Sequence, residues 1–460
     1  MNTLHSINPA TGKTLAAFDE DDEATVDAKI GRAAAAVRLL AEAGWTQRAA
    51  WMTAAADLLE SEIDEVAGMI TAEMGKPIGQ SRAEVAKSAH TMRYYAAHAE
   101  SFLRGRTLED PSAVNASAAG TRYDPLGVVL AVMPWNYPIW QVVRFAAPAL
   151  MAGNAGLLKH ASNVPQSALY IGELFTRAGF PEGAFSTVLI GSSRVADVIR
   201  DPRVAAVTLT GSETAGRSVG SAAGDVLKKA VLELGGSDPF IVMPSADLDA
   251  AVETAVKART TNNGQACINA KRFIVHEEIF DAFAAAFAER MRALVVGDPA
   301  DTATDIGPLA TDSGRRDIET LVEDARGKGA RILTGGERTE QGDGWYYPPT
   351  VIADITRDMK LWSEEAFGPV ASLYKVSSLD EALAVANESE FGLGSAFWST
   401  DQEEIDRVVR DIEAGAVFVN GMTISFAELP FGGVKRSGYG RELSMEGIRE
   451  FCNLKTVWVA

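Results

Sequence analysis

Between Asp27 and Glu73 apolar residues return every three or four positions among charged ones, as in AAAAVRLL and AADLLESEIDEVAGMI. That spacing predicts amphipathic helix, and the first hundred residues are expected to be mostly helical. Beyond Arg122 the texture shifts to short apolar runs, VVLAVM, GLLKH, FSTVLI, AAVTLTG and AVLEL, most of them closed by Gly or Pro. Runs of this length predict buried strands. Helical stretches such as QSALYIGELFTRAGF and SETAGRSVGSAAG separate them, and so regular an alternation builds a parallel sheet covered on both faces. The alternation resumes after Gly236 with FIVM, DLDAAVETAVKAR, RFIVH, EEIFDAFAAAFAERMRALV, PPTVIAD and AVFVNG, which predicts a second α/β unit.

Two segments fall outside this alternation. Residues 112–126, SAVNASAAGTRYDPL, are small, polar and alternating, and read as an extended excursion from the first unit. The chain ends in FCNLKTVWVA, a strand whose bare edge would aggregate unless covered. It is expected to pair with the excursion or with another subunit.

Composition narrows the class. At 460 residues the chain is expected to form two or three domains. With 47% hydrophobic and 23% charged residues it is an ordinary packed protein. The formal net charge of −19 repels nucleic acid and anionic membranes, and an anionic substrate would need locally placed Arg or Lys. Two cysteines, Cys267 and Cys452, suit a reducing cytoplasm rather than a disulfide framework. The start, MNTLHSINPATG, does not read as a signal peptide, and no apolar run reaches membrane-spanning length. Five scattered histidines suggest no metal site.

Cys267 sits in NNGQACIN, where Asn262, Asn263, Gln265 and Asn269 would make a poor apolar core. It reads either as a thiolate, with Lys271 and Arg272 lowering its pKa, or as a buried structural cysteine; Cys452 reads as packing. Glu233, in VLELGGSDP, reads as a desolvated base or as a cap of the following turn. Asn136, in PWNYP, is an oxyanion donor or an Asx turn. In TLTGSETAG, Gly211 and Ser212 open a helix whose free N–H groups suit a pyrophosphate, although the spacing is not GxGxxG. Lys159 ends an earlier strand where an adenosine ribose or its phosphate would lie.

Together these segments, with INPATG, EMGKP, LKHAS, EEAFGP and PFGGVKRSGYGRE, resemble the aldehyde dehydrogenase superfamily over essentially the whole chain. The resemblance implies a Rossmann-like nucleotide-binding domain at 1–111 and 127–236, an α/β catalytic domain at 237–437, and a small β oligomerisation element at 112–126 and 438–460. It implies Cys267 as nucleophile, Glu233 as the base for deacylation, and Asn136 with the Cys267 N–H as the oxyanion hole. Glu365 and Phe367 match positions beside the nicotinamide ribose and ring, and Ser212 a pyrophosphate contact. Met133, Trp135, Asn136, Gly211 and Leu234 complete the implied cofactor lining. Thr260 and Ser237 depart from common family residues, but neither touches a reacting group.

NAD-selective members carry a carboxylate at the position of Ser162. Lys159 with a neutral Ser162 therefore implies NADP, with NAD as a possible second cofactor. Arg144, Trp140 and Ser425 match positions around a substrate carboxylate in succinate-semialdehyde dehydrogenases, and the wording of LKHASNVP and LELGGSDPF resembles a bacterial branch of that group. One departure is Thr261, where some of those enzymes have an Arg; Arg259 is nearby. Asn269 excludes a disulfide switch with a neighbouring cysteine. The expected protein is a cytoplasmic homodimer or homotetramer that oxidises succinate semialdehyde. The alternatives are another semialdehyde, such as glutarate semialdehyde, or a cysteine hydrolase or thioesterase without redox chemistry.

Overall fold

The computed structural model describes residues 3–338 and 342–460. The hairpin β1 (Thr3–Asn8) and β2 (Lys13–Asp19) leads into three helices, α1 (Glu23–Ser61), α2 (Ile63–Met74) and α3 (Ile78–Phe102). After β3 (Ala118–Pro125) the expected alternation follows: β4 (Val128–Met133), α4 (Trp140–Ala152), β5 (Ala155–His160), α5 (Pro165–Arg177), β6 (Phe185–Thr187), α6 (Val195–Arg200), β7 (Val204–Thr210), α7 (Glu213–Asp225) and β8 (Lys229–Glu233). The five strands stand in the order β6-β5-β4-β7-β8, all parallel. Helices α1, α4 and α5 pack on β4 and β5, and α6 and α7 on β7. Every residue of β5 is buried, which is why its sequence is a continuous run rather than an alternating one. The strand order reverses direction between β4 and β7, and the carboxyl edge at such a reversal is where open α/β sheets leave a crevice.

The chain continues through β9 (Asp238–Val242), α8 (Leu248–Thr260), β10 (Ala270–His276), α9 (Glu277–Arg292), α10 (Asp312–Gly327), β11 (Arg331–Thr334), β12 (Thr350–Ala353), α11 (Lys360–Ser363), β13 (Val370–Val376), α12 (Leu379–Asn387), β14 (Phe391–Gly392), β15 (Ala396–Trp398), α13 (Gln402–Asp411) and β16 (Phe418–Val419), whose strands other than β14 form a second sheet. Its order is β11-β12-β13-β10-β9-β15-β16, parallel except at β11. The chain then returns through β17 (Val434–Lys435), β18 (Gly438–Tyr439), α14 (Ser444–Glu450) and β19 (Cys452–Val459).

β19 pairs antiparallel with β3, from Cys452 opposite Pro125 to Val459 opposite Ala118. This covers one edge of the terminal strand with the excursion. Before it, β18 extends the first sheet antiparallel to β8, and α14 packs on α3 and α4. A two-residue strand in SGYG carries too little apolar pattern for sequence reading to detect.

One buried ion pair joins the helical layer to the first sheet. Glu84 of α3 pairs with Lys76, both fully buried, and its Oε1 accepts the N–H groups of Ile139 and Trp140 at 2.9 and 3.0 Å. A carboxylate from another helix thus caps α4 and favours its positive end. The Lys76 ammonium also lies 3.7 Å from the centre of the Tyr137 ring. Glu84→Ala leaves Lys76 buried without a counter-charge, and we expect a loss of about 3–5 kcal/mol. An unchanged urea midpoint at constant m-value would remove this pair from the account of stability.

Candidate active site

The loop that carries Cys267 is held by its own amides. After α8 the backbone turns through Asn262 and Asn263, both left-handed at φ 58 and 57°, a region asparagine tolerates. Gly264 follows at φ +76°, and a Cβ there would collide with the carbonyl of Gly368. The Asn262 Nδ2 donates to the carbonyls of Asn136 at 2.8 Å and Gln265 at 3.0 Å. Asn263 donates to the carbonyls of Gly75 and Pro308 and accepts the Gly307 N–H. Gln265 accepts the Ala310 N–H at 3.0 Å, and Asn269 donates to the Thr261 carbonyl at 2.8 Å. Every amide of the cluster is held by at least one hydrogen bond, with the buried Asn262 Oδ1 left over, and together they clamp the cysteine between α2, the PWNYP turn and the second sheet.

Cys267 lines two cavities at once. The larger, about 420 Å³, is walled by Lys87, Tyr137, Trp140, Arg144, Ser425 and Phe431. The smaller, about 280 Å³, is walled by Trp135, Asn136, Ser212, Leu234, Glu365 and Phe367 at the carboxyl edge of the first sheet. Gln141 borders both. Neither cavity follows from any one motif.

The expected lowering of the thiol pKa does not appear. Burial pushes Cys267 up to about 12, outweighing the pull of Arg144 and Lys271. Of the two following cations, Lys271 donates to the carbonyls of Ala266 at 2.8 Å and Cys267 at 2.5 Å and pairs with Glu365 at 3.0 Å. Arg272 donates instead to the carbonyls of Val385 and Ala386. Neighbourhood in sequence placed a charge near the backbone of Cys267, and the desolvation of the sulfur outweighs it.

Asn136 ends the turn after β4, and its Nδ2 donates to Gln265 O at 3.0 Å, across the chain rather than within its own turn. One Nδ2 hydrogen remains. Glu233 ends β8, 1% exposed, with no hydrogen-bond partner on either carboxylate oxygen. Burial holds its pKa well above the ordinary range, and Glu442 adds to this while Arg144 and Arg441 oppose it. A turn cap would accept N–H groups on its side chain, and the Glu233 carboxylate accepts none. Gly432 lies against it, where a Cβ would stand 2.9 Å from Oε1. Glu233 belongs to neither cavity wall, but its charge is felt at Cys267.

The smaller cavity fits a dinucleotide's reactive end. Ser212 caps α7 by accepting the Ala215 N–H at 3.3 Å, with Gly211 before it. Trp135 meets Phe367 edge-on, with centroids 5.7 Å apart. Met133 closes β4, buried and outside the cavity wall. Lys159 and Ser162 lie at and just beyond the end of the adjacent strand β5, also outside this wall, with Lys159 buried and Ser162 exposed. Burial depresses the Lys159 ammonium, and Glu20 opposes that.

In the larger cavity Arg144 is not free. Its guanidinium forms an ion pair with Glu442, donates to Thr210 Oγ1 at 3.2 Å, and lies 4.7 Å from the Phe431 ring centre. Sequence reading missed Glu442 as its partner, 298 positions away. It also missed Lys87, whose Nζ donates to Ser425 Oγ at 2.8 Å and lies 4.2 Å from the Trp140 ring centre. The available signal was helical: Glu84 and Lys87 fall three apart on α3, beside the buried stripe of Val85, Ser88 and Met92.

Residues 1–457 match the aldehyde dehydrogenase family, and the chain belongs to it. Among curated relatives, it is 60% identical over 459 residues to a protein of Mycolicibacterium paratuberculosis named succinate-semialdehyde dehydrogenase [NADP(+)], covering 99% of this chain and 96% of that one. A Mycobacterium tuberculosis protein, named succinate-semialdehyde dehydrogenase [NADP(+)] 1, is 59% identical over 99% of this chain and 100% of its own. The crystal structure of succinic semialdehyde dehydrogenase from Streptococcus pyogenes in complex with NADP+ superposes with a TM-score of 0.96 at 37% identity, covering 99% of both chains.

Proposed function

We propose that the chain oxidises succinate semialdehyde to succinate with NADP+, using Cys267 as nucleophile. The observation that carries this reading is the position of Cys267 at the junction of a cation-bearing cavity and one lined by Trp135, Ser212, Glu365 and Phe367. The relatives named above support the substrate and the cofactor.

The aldehyde carbon enters from the larger cavity, the Cys267 thiol gives its proton to water, and the sulfur adds to the carbon. The resulting alkoxide is held by the free Nδ2 hydrogen of Asn136 and the Cys267 N–H, donors fixed by the amide-clamped loop. Bound NADP+ supplies the hydride acceptor; Glu365, Phe367, Trp135, Leu234, Gly211 and Ser212 would hold it at the cysteine, with Met133 behind. The alkoxide collapses to a thioester as hydride leaves carbon. Glu233 then takes a proton from an attacking water, and the acid is released from sulfur. Trp140, Arg144 and Ser425 shape the substrate cavity.

A panel of semialdehydes and uncharged aldehydes, assayed with NADP+ and with NAD+ at the absorbance of the reduced nicotinamide, tests the reading. Succinate semialdehyde with NADP+ is expected to give the highest kcat/KM. Ester hydrolysis without cofactor reduction on any aldehyde would replace it with a hydrolase. Ser162→Glu sets a carboxylate where the 2′-phosphate would lie, and we expect the NADP/NAD preference ratio to fall at least about tenfold. An unchanged ratio would place the 2′-phosphate elsewhere.

The domain limits at 111, 126, 236 and 437 belong to this proposal. So does a homodimer or homotetramer built on the β3–β19 ribbon, where Leu454, Val457, Trp458 and Val459 are exposed. We place the protein in the cytoplasm; no helix among the described residues is long and apolar enough to cross a membrane.

A further inference from the structure

An N–H donor is only as strong as its own peptide group makes it, and the peptide that carries the Cys267 N–H has the Ala266 carbonyl at its other end. That carbonyl is bound by a buried cation. Lys271 of β10, 2% exposed, donates to it at 2.8 Å. The same ammonium donates to the Cys267 carbonyl at 2.5 Å and stands 3.0 Å from Glu365 Oε1. Its three hydrogens thus meet three oxygens, two of the cysteine loop and one on the wall of the smaller cavity. Arg259 pins the ends of the loop, donating to the carbonyls of Gly264 and Ala270. Asp238 stands opposite Ala270 on the neighbouring strand, and its Oδ1 accepts the Gly394 N–H at 3.1 Å. Burial pushes this carboxyl up to about 7 against the pull of Lys271.

We propose that Lys271 strengthens the oxyanion hole from behind: its ammonium, bound to the Ala266 carbonyl, polarises the 266–267 peptide and makes the Cys267 N–H a stronger donor. This deepens the function proposed above and rests on Cys267 as its nucleophile. A charge-assisted bond to a peptide oxygen draws electron density from the N–H of the same unit, and bonds linked in this way reinforce one another in a dry interior. As sulfur adds to a carbonyl carbon, the S–C bond forms, the carbonyl π pair moves onto oxygen and the thiol proton goes to water. The new oxyanion, the peptide and the ammonium then form one chain of hydrogen bonds. Attack of water on the thioester regenerates the oxyanion, so the same chain serves both halves of the reaction. Lys271 touches no reacting atom and is a positioning residue. The charges felt at the sulfur are Arg144 and Lys271 on one side and Glu365 and Glu233 on the other. Of these, Lys271 is bonded to the loop backbone itself.

The strength of the hole can be titrated on the adduct of Cys267 with trifluoroacetone, a small ketone that has no hydride to lose, by following its fluorine NMR signal against pH. Wild type is compared with Lys271→Met, which keeps the stem and removes the charge, with Lys271→Gln, which leaves a neutral donor, and with Lys271→Arg, which keeps the charge. We expect the pH at which the adduct hydroxyl ionises to rise by about one to two pH units in Lys271→Met and by at least about half a unit in Lys271→Gln, and to return most of the way in Lys271→Arg. Hydrolysis of p-nitrophenyl acetate needs no cofactor and should slow by the matching factor, about 10- to 100-fold, in Lys271→Met. That arm separates the effect from any change in how Glu365 holds the nicotinamide. An ionisation within about 0.3 pH unit of wild type in Lys271→Met, or in Lys271→Gln should the methionine variant not fold, overturns the role of the ammonium. Wild-type protein that gives no bound fluorine signal, or gives the same one after Cys267→Ala, overturns the nucleophile and the proposed function with it.

Discussion

Cys267→Ala is expected to lower kcat for aldehyde oxidation by roughly 10⁴-fold or more, the scale seen when a covalent nucleophile is removed. The reason lies in the geometry: the sulfur is the one nucleophilic atom on the wall shared by both cavities, so no neighbour can replace it. Cys452 cannot, since it is buried in β19 and donates to the Ile448 carbonyl. NADP+ binding, followed by quenching of tryptophan fluorescence, should persist in the variant, because Ser212, Glu365 and Phe367 are untouched. A variant that retained more than about a hundredth of wild-type kcat would refute the nucleophile assignment. The raised pKa of the unliganded thiol also predicts that alkylation of Cys267 accelerates steeply with pH up to about 12.

Glu233→Gln is expected to separate the two halves of the reaction. Hydride loss needs only sulfur, the oxyanion donors and the cofactor, so a burst of one reduced nicotinamide per site should remain. Turnover after the burst should fall by about 10²- to 10⁴-fold, the range of a general base. Loss of the burst together with turnover would falsify this division. The wild-type steady state should rise with pH, because only the ionised carboxylate accepts a proton and burial holds its pKa above the usual carboxyl range. Stability runs the opposite way. The folded state binds this proton more tightly than the unfolded one, so the contribution is complete below the ordinary carboxyl pKa and is lost as pH climbs through the raised native value. Glutamine never ionises, and Glu233→Gln should therefore match or exceed wild-type stability at alkaline pH.

The parts of the fold that were legible are those where one physical requirement acts along a short stretch. The runs that became β4, β5 and β7 are buried on both faces, and such strands are apolar along most of their length, without the alternation of a half-exposed strand. The amides around Cys267 pointed away from an apolar core, and they proved to be the paired clamp of the loop. By contrast, β18 against β8 brings Gly438 opposite Glu233, a pairing of two residues per strand with no periodicity to betray it.

Sequence alone determined the two parallel α/β sheets, the cysteine loop and the neutral Ser162, because each depends on residue type at a position or on spacing within one element. Tertiary structure decided the electrostatics. Lys271 and Arg272 stand beside Cys267 in sequence, yet burial raises the thiol. Arg144 is matched by Glu442 from far along the chain, and Lys87 is left with a hydroxyl and an aromatic ring. Charge interactions depend on separation in space and on the water removed around each group, and neither quantity is carried by distance along the chain.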